Sequence, residues 1–217
     1  MRVKGIVFDL DGTLIDSTVA ILDSLFVAAD YYGVKTAITK NESYLFMGKS
    51  LRETLKLMMP EADQETINKV GKYYVEHYYE FCVKDAKLFP DVGETIKQLH
   101  NIGIKLAVAT AKHSDCAILE LKTVGIDNLF LSIRGTDNGV PSKPDPKMLL
   151  DICSQFSLKP EEVLMVGDTD RDVMFGKNAG CSTCVVSHGN WPKERFIKEN
   201  IMPDFFLDKF DDLLNHV

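Results

Sequence analysis

Apolar positions along the chain mark out the elements first. The stretch Val3 to Leu10 reads as a central strand, because its apolar residues fill both faces. From Ser17 the spacing changes: Ile21, Leu22, Leu25, Phe26 and Ala29 follow a helical period, with Ser17 as N-cap and Gly33 past the end. A second helical piece runs from about Leu51 to Met59 and stops before Pro60. A longer one follows Asp63, carrying Ile67, Val70, Tyr74, Tyr78 and Phe81 on one side. The tyrosine pairs Tyr73-Tyr74 and Tyr78-Tyr79 fit helix packing better than a ligand cage. No strand pattern occurs between Asp16 and Asp85.

Beyond Phe89-Pro90 strands and helices alternate. Asp91-Val92-Gly93-Glu94 resembles a capping box, and Gly103 is a helix stop. Ile104 to Ala109 reads as a strand, Ser114 to Val124 as a helix closed by Gly125, and Leu129 to Ile133 as a short strand. Asp145-Pro146 opens a helix to about Phe156, with proline at its first position. Val163 to Val166, the helix Asp170 to Ala179 closed by Gly180, Thr183 to Val186, and Phe205 to Leu207 complete the series. Such alternation demands a parallel sheet with helices on both faces. The chain therefore divides into an α/β core, residues 1–15 and 86–217, and an all-helical insertion, residues 16–85.

Composition narrows the class. Hydrophobic residues make up 45% of the 217 and charged residues 26%, as in ordinary globular proteins. No apolar run reaches the roughly 20 residues of a membrane helix, and the first residues are strand rather than signal peptide. A cytoplasmic protein with no membrane association is expected. The net charge of -7 removes any counterion-release drive toward nucleic acid. It also means that a site for an anionic substrate must build its own positive potential. The five cysteines show no disulfide framework, and Cys181-Ser182-Thr183-Cys184 reads as two half-buried residues rather than a redox pair.

Candidate chemistry lies where the strands end, because ligands of open α/β sheets bind outside the carboxyl ends of the strands. The first strand ends in Asp9-Leu10-Asp11-Gly12-Thr13, and the second in Ala109-Thr110-Ala111-Lys112. Ser142-Lys143-Pro144 precedes a helix, and the fourth strand ends in Gly167-Asp168-Thr169-Asp170-Arg171-Asp172. Asp9 and Asp11 are two apart in extended chain and so share a face. Asp172 follows Asp168 by one helical turn. Carboxylates so gathered raise one another's pKa values. A hard cation with oxygen ligands removes that conflict, which points to Mg²⁺ rather than zinc, since no His/Cys set is present. The cation and Lys143 would make a positive pocket for phosphate, with Thr110 donating a hydrogen bond. One aspartate could then form an aspartyl-phosphate while the second moves the proton.

These residues resemble the haloacid dehalogenase superfamily of phosphohydrolases. Phe8-Asp9-Leu10-Asp11-Gly12-Thr13-Leu14 is similar to its first motif, Thr110 to its second, Lys143-Pro144 to its third, and Gly167-Asp168 to Asp172 to its fourth. The helical insertion resembles the cap of the phosphoglycolate-phosphatase-like branch. The resemblance implies a Rossmann-like core, with Asp9 as nucleophile and Mg²⁺ ligand and Asp11 as general acid/base with its carbonyl on the metal. It further implies Thr110 and Lys143 on the phosphoryl group, Asp168 as a metal ligand, and Asp172 beside the metal. Ala111 and Ser142 stand where that branch often has Asn and Gly, which bears on substrate contacts. The segment Phe46-Met47-Gly48-Lys49-Ser50 resembles a substrate-facing cap loop. Gly48, Lys49 and Arg52 are its candidate contacts, with Lys49 or Arg52 reaching a second anionic group. His113 is expected at the pocket rim, as a surface residue.

The expected activity is hydrolysis of a small phosphorylated metabolite, with phosphoglycolate or a related sugar phosphate first, by a monomer or small homo-oligomer. A pyrophosphatase would use the same residues. A β-phosphoglucomutase-like mutase also needs both Asp9 and Asp11, although Leu14-Ile15-Asp16-Ser17 is more phosphatase-like. A dehalogenase would need no second acid, and a non-catalytic regulatory module would be expected to lack a nucleophile or a metal ligand.

Overall fold

The structure is a computed structural model that describes residues 3–39, 42, 47–137 and 139–217. Its sheet has six parallel strands in the order β3-β2-β1-β4-β5-β6. They are β1 (Gly5–Phe8), β2 (Lys105–Ala109), β3 (Ser132–Arg134), β4 (Val163–Gly167), β5 (Ser182–Val186) and β6 (Phe205–Leu207). The order reverses between β1 and β4, the place where sheets of this kind open a crevice. Register there sets Phe8 beside Val166. The amide of Asp9 donates to the Val166 carbonyl, so Asp9 and Asp168 leave adjacent strands side by side.

Period two sorts the strand residues onto two cores. Ile6, Phe8, Leu106, Val108, Leu164 and Val166 pack on one face, against α4 (Val92–Asn101), α5 (Ser114–Thr123) and the terminal 3₁₀ segment Phe210–His216. Val7, Ala107, Ala109, Val163 and Met165 pack on the other, against α6 (Lys147–Phe156) and α7 (Asp170–Ala179). A short α8, Lys193–Lys198, sets Phe196 against Val173, Val185 and Trp191. The two residues of the C-x-x-C stretch part company here. Cys181 belongs to the α6–α7 core and Cys184 to the opposite one, and both are free thiols.

Between β1 and α4 lie α1 (Thr18–Tyr31), α2 (Leu51–Met58), α3 (Gln64–Glu76) and a π turn, Tyr79–Val83. No strand occurs among the described residues of this block. Its helices bury a cluster of their own, including Leu22, Leu25, Leu55, Met58, Val70 and Tyr74.

Several boundaries differ from the sequence reading. The periodicity from Asp63 to Phe81 predicts one helix, but α3 ends at Glu76 and a π turn, Tyr79–Val83, follows, with Tyr78 and Cys82 both buried. Ser17 sits at the N-cap of α1 without capping it, because its hydroxyl is turned to Asp11. Asp91 adopts a left-handed φ of 63° and caps nothing, so the expected capping box is absent there, whereas Ser50 and Glu53 form one at the start of α2. Pro146 stands at the N-cap of α6 rather than inside it. The third strand begins three residues later than expected, since Asp127–Leu129 is a 3₁₀ turn.

Besides the bonds of Ser17 to Asp11 and of Thr18 to Asn190 at the start of α1, two further polar ties among the described residues join the helical block to the core. Arg171 on α7 donates to Glu53 on α2 at 2.8 Å and also to the Lys143 carbonyl at 2.9 Å. The second tie is deeper. Glu120 on α5 is fully buried, and accepts from the Tyr78 hydroxyl at 2.6 Å and from Lys112 Nζ at 2.7 Å. Burial pushes the Glu120 carboxyl up, and Lys112 works against that push. Removing one partner of a buried pair strands the other charge. Glu120→Ala is therefore expected to cost about 3–5 kcal/mol of unfolding free energy in urea titration, and Glu120→Gln less, since its amide can still meet Tyr78. A loss under about 1 kcal/mol for Glu120→Ala, the range of exposed pairs, would show that the tie carries no weight.

Candidate active site

The carboxyl ends of β1, β2 and β4 bring the predicted residues to one edge of the sheet. Asp9, Asp168 and Asp172 are all buried, and each offers an oxygen within 4.8 Å of the others. Lys143 is their counterion. Its ammonium, 2% exposed, donates to Asp9 at 2.8 Å and to Asp172 at 2.6 Å. Burial alone would depress the Lys143 ammonium, but Asp172 and Asp9 outweigh it and hold it above the ordinary lysine value. Asp172 does structural work too, accepting from the Asp168 and Thr169 amides and the Thr169 hydroxyl at the start of α7.

One ammonium does not balance three carboxylates. Burial, opposed by Lys143 and assisted by Asp172, pushes the Asp9 carboxyl up to about 7. Burial, together with the charges of Asp172 and Asp9, holds Asp168 well above the usual carboxylate range. Asp168 is held through one oxygen only: Oδ2 accepts from the Asn190 amide at 2.7 Å and from its side chain at 2.5 Å. Oδ1 is buried with no hydrogen-bond partner among the described residues. An orphaned carboxylate oxygen beside two further carboxylates is a donor set that fits a hard divalent cation.

The loops crowd closely around these acids, and glycines permit it. A Cβ on Gly12, whose φ is +81°, would lie 2.3 Å from Asp168 Oδ2. One on Gly189 would lie 2.1 Å from the Asp168 Cβ.

Asp11 is held apart from the three. Its Oδ1 accepts from Ser17 at 2.5 Å and from Lys112 at 2.8 Å. Its side chain therefore points toward the helical block, while that of Asp9 points into the acid cluster. Both line one cavity of about 370 Å³ between the sheet edge and the helices, together with Thr110, Ala111, Gly48, Lys49 and Arg52. Thr110 accepts the Lys112 amide on its hydroxyl oxygen, which leaves the hydroxyl hydrogen to donate. Lys143, Asp168 and Asp172 lie behind Asp9. Gly48 packs so closely on the core that a Cβ there would come within 2.8 Å of the Thr169 hydroxyl. Lys49 is half-buried, Arg52 is exposed, and Phe46 lies outside the described residues. His113 is more than half exposed and lines the cavity rim.

Four polar residues around the site escaped the sequence reading. Lys112 was visible only as the residue after Ala111, yet it bridges Asp11 and Glu120. Glu120 had a signal: it is an acid on the face that Ala117 and Leu121 bury. Asn190 follows the end of β5, so the strand-end rule reaches it. Ser17 was assigned to capping.

The residues match known proteins across the whole chain. The family model described as haloacid dehalogenase-like hydrolase matches residues 6–186. Pyrophosphatase PpaX of Anoxybacillus flavithermus is 32% identical, covering 99% of this chain and 97% of the relative. Phosphoglycolate phosphatase of Vibrio vulnificus is also 32% identical, covering 100% and 96%. Among solved structures, a predicted phosphoglycolate phosphatase from Haemophilus somnus superimposes with a TM-score of 0.87 at 27% identity, covering 99% and 98%. A β-phosphoglucomutase from Clostridium difficile shares the fold, with a TM-score of 0.78 at 18% identity over 98% and 93%. With a parallel sheet that gathers these acids at its carboxyl edge, the chain belongs to the haloacid dehalogenase-like hydrolase family.

Proposed function

We propose that the protein is a Mg²⁺-dependent phosphatase that hydrolyses a small organic phosphomonoester through an aspartyl-phosphate on Asp9. The observation that carries this reading is the division of labour between the two acids of β1. Asp9 sits against Lys143 and the other carboxylates, whereas Asp11 is turned away and bonded to Lys112 and Ser17. A pair of acids in different environments suits two roles.

In the first step a carboxylate oxygen of Asp9 bonds to phosphorus as the bond from phosphorus to the ester oxygen breaks. Asp11 gives its proton to the departing alkoxide. Its bonds from Ser17 and Lys112 both land on Oδ1, which leaves Oδ2 as the oxygen that carries the proton. In the second step Asp11 takes a proton from water, whose oxygen attacks phosphorus and releases inorganic phosphate from Asp9. Thr110 donates to the phosphoryl oxygens, and Lys143 holds the Asp9 carboxylate in line. Asp9, Asp168 and Asp172 would hold Mg²⁺, which would supply positive charge to the phosphoryl oxygens and keep the three carboxylates ionised.

Residues 16–85 act in this reading as a cap that shields the reaction from water. The relatives named pyrophosphatase PpaX keep inorganic pyrophosphate as the second candidate substrate.

Three outcomes test the chemistry. Asp9→Asn is expected to lower kcat by on the order of 10⁴-fold or more, and Asp11→Asn by about 10²–10⁴-fold, both read as phosphate release from p-nitrophenyl phosphate. A full rate in either variant would remove that residue from its role. EDTA should abolish phosphate release, and Mg²⁺ should raise the Tm of the wild type but not of Asp168→Asn. An identical Tm rise in the variant would place the cation elsewhere.

A further inference from the structure

The cavity that meets the reacting acids is far larger than a phosphate needs, and its walls are unlike one another. At about 370 Å³ it falls in the range of sites for organic ligands, roughly 300–1,000 Å³. Its chemical end is Asp9 and Thr110, both buried. Its other buried wall is apolar except at Thr54: Leu22, Leu25, Tyr74 and Tyr78 are each 6% exposed or less.

Most polar groups on the buried walls are already bonded within the protein; among the described residues the Thr54 hydroxyl is the exception. The Tyr78 hydroxyl is taken by Glu120, and that of Tyr74 faces the Cys82 thiol at 4.0 Å. Ser50 is engaged with Glu53, and Thr136 donates to the Ala111 carbonyl. Lys112 is the one lysine among the described residues on the sheet side of the cavity, and its ammonium is bonded to Asp11 and paired with the buried Glu120. Lys49 and Arg52 lie on the more exposed side, at the start of α2.

A second anionic group, as in pyrophosphate or phosphoglycolate, placed against the buried wall would lie beside apolar side chains and a neutralised lysine, with cations among the described residues only at the outer side, on Lys49 and Arg52. A charged group in such a place loses hydration without gaining a partner. An apolar body would displace water from an apolar wall and gain by it. Resting on the phosphatase reading above, we propose that the physiological substrate is the monophosphate of an apolar alcohol or phenol. Its phosphoryl group meets Asp9 and Thr110, and its alkyl or aryl body lies against Leu22, Leu25, Tyr74 and Tyr78. Hydrolysis by the two steps given above releases that alcohol and inorganic phosphate.

The test is kcat/KM with Mg²⁺ for the n-alkyl phosphates from methyl to hexyl and for phenyl phosphate, against phosphoglycolate and pyrophosphate. A buried methylene is worth about 0.8 kcal/mol, or roughly four-fold. The alkyl series should climb by about three- to four-fold per carbon, with hexyl and phenyl phosphate ahead of both competitors, each of which carries a second anionic group. A flat or falling series, or either competitor ahead of hexyl phosphate, overturns the inference while leaving phosphatase activity standing. No release from any ester, p-nitrophenyl phosphate included, overturns the phosphatase reading itself. Ile21→Lys, on the half-buried edge of the same wall, puts an ammonium into the cavity and should move the ratio toward phosphoglycolate. An unchanged ratio, with the variant's circular dichroism that of the wild type, also counts against the inference.

Discussion

Everything at this sheet edge depends on the buried ammonium of Lys143, set between Asp9 and Asp172. Neither carboxylate could stay ionised so deep in the protein without it, and the ammonium could not be buried without them. The trio also ties three separate chain segments together: the end of β1, the loop before α6, and the first turn of α7. Its geometry is fixed by the parallel sheet, which delivers strand ends to one edge. It is also fixed by the glycines at 12 and 189, which let backbone pass where any side chain would strike Asp168. Even so, the balance is incomplete. Asp168 keeps an oxygen with no partner among the described residues, and burial pushes the Asp9 carboxyl up to about 7 despite Lys143. A site built to be satisfied by protein alone would not leave these two groups in that state; a site built to receive a cation and a phosphoryl group would.

The core was legible from the sequence because its signals are local. Strand residues are apolar on both faces only in sheets covered on both sides, and β4, α7 and β5 fall within a residue of where periodicity and Gly180 put them. The acids of the site were legible for the same reason, since each stands directly after a strand. What escaped were groups whose partners are distant in sequence. Lys112 and Glu120 are eight residues apart, but the third member, Tyr78, comes from a different block, 42 residues before Glu120. Likewise, periodicity carried the α3 pattern through Tyr78 and Phe81, because Tyr78 stays buried where the α-helical ladder ends and a π turn follows. Ser17 was misread through the same lack of context: a serine before a helix is a cap unless an acceptor lies nearer, and Asp11 does.

The two acids of β1 are two residues apart and could have shared one environment. Their separation into different environments is the work of Lys112. It draws Asp11 toward α5 and the helical block, and Glu120 then draws Lys112 from the other side. Because Glu120 also accepts from Tyr78, the position of Asp11 is linked through three hydrogen bonds to a residue of the inserted block. The Arg171 tie has the same logic, since Arg171 joins Glu53 to the carbonyl of Lys143. Each of the lysines nearest the reacting acids is therefore connected to the helical block by one further polar residue.

That arrangement bears on selectivity as much as on catalysis. The usual way to hold a small phosphoester with a second anionic group is to set a cation against its far end. Here the cation on the sheet side of the cavity is committed to Asp11 and Glu120, and the wall beyond it is made of the same leucines and tyrosines that form the core of the helical block. Leu22, Leu25, Tyr74 and Tyr78 thus have two tasks, packing the insertion and facing the cavity. A single substitution there cannot change one task without touching the other. If the apolar-substrate proposal holds, preference is for that reason set by the packing of the inserted helices, with the more exposed Lys49 and Arg52 adding to it from the outer side.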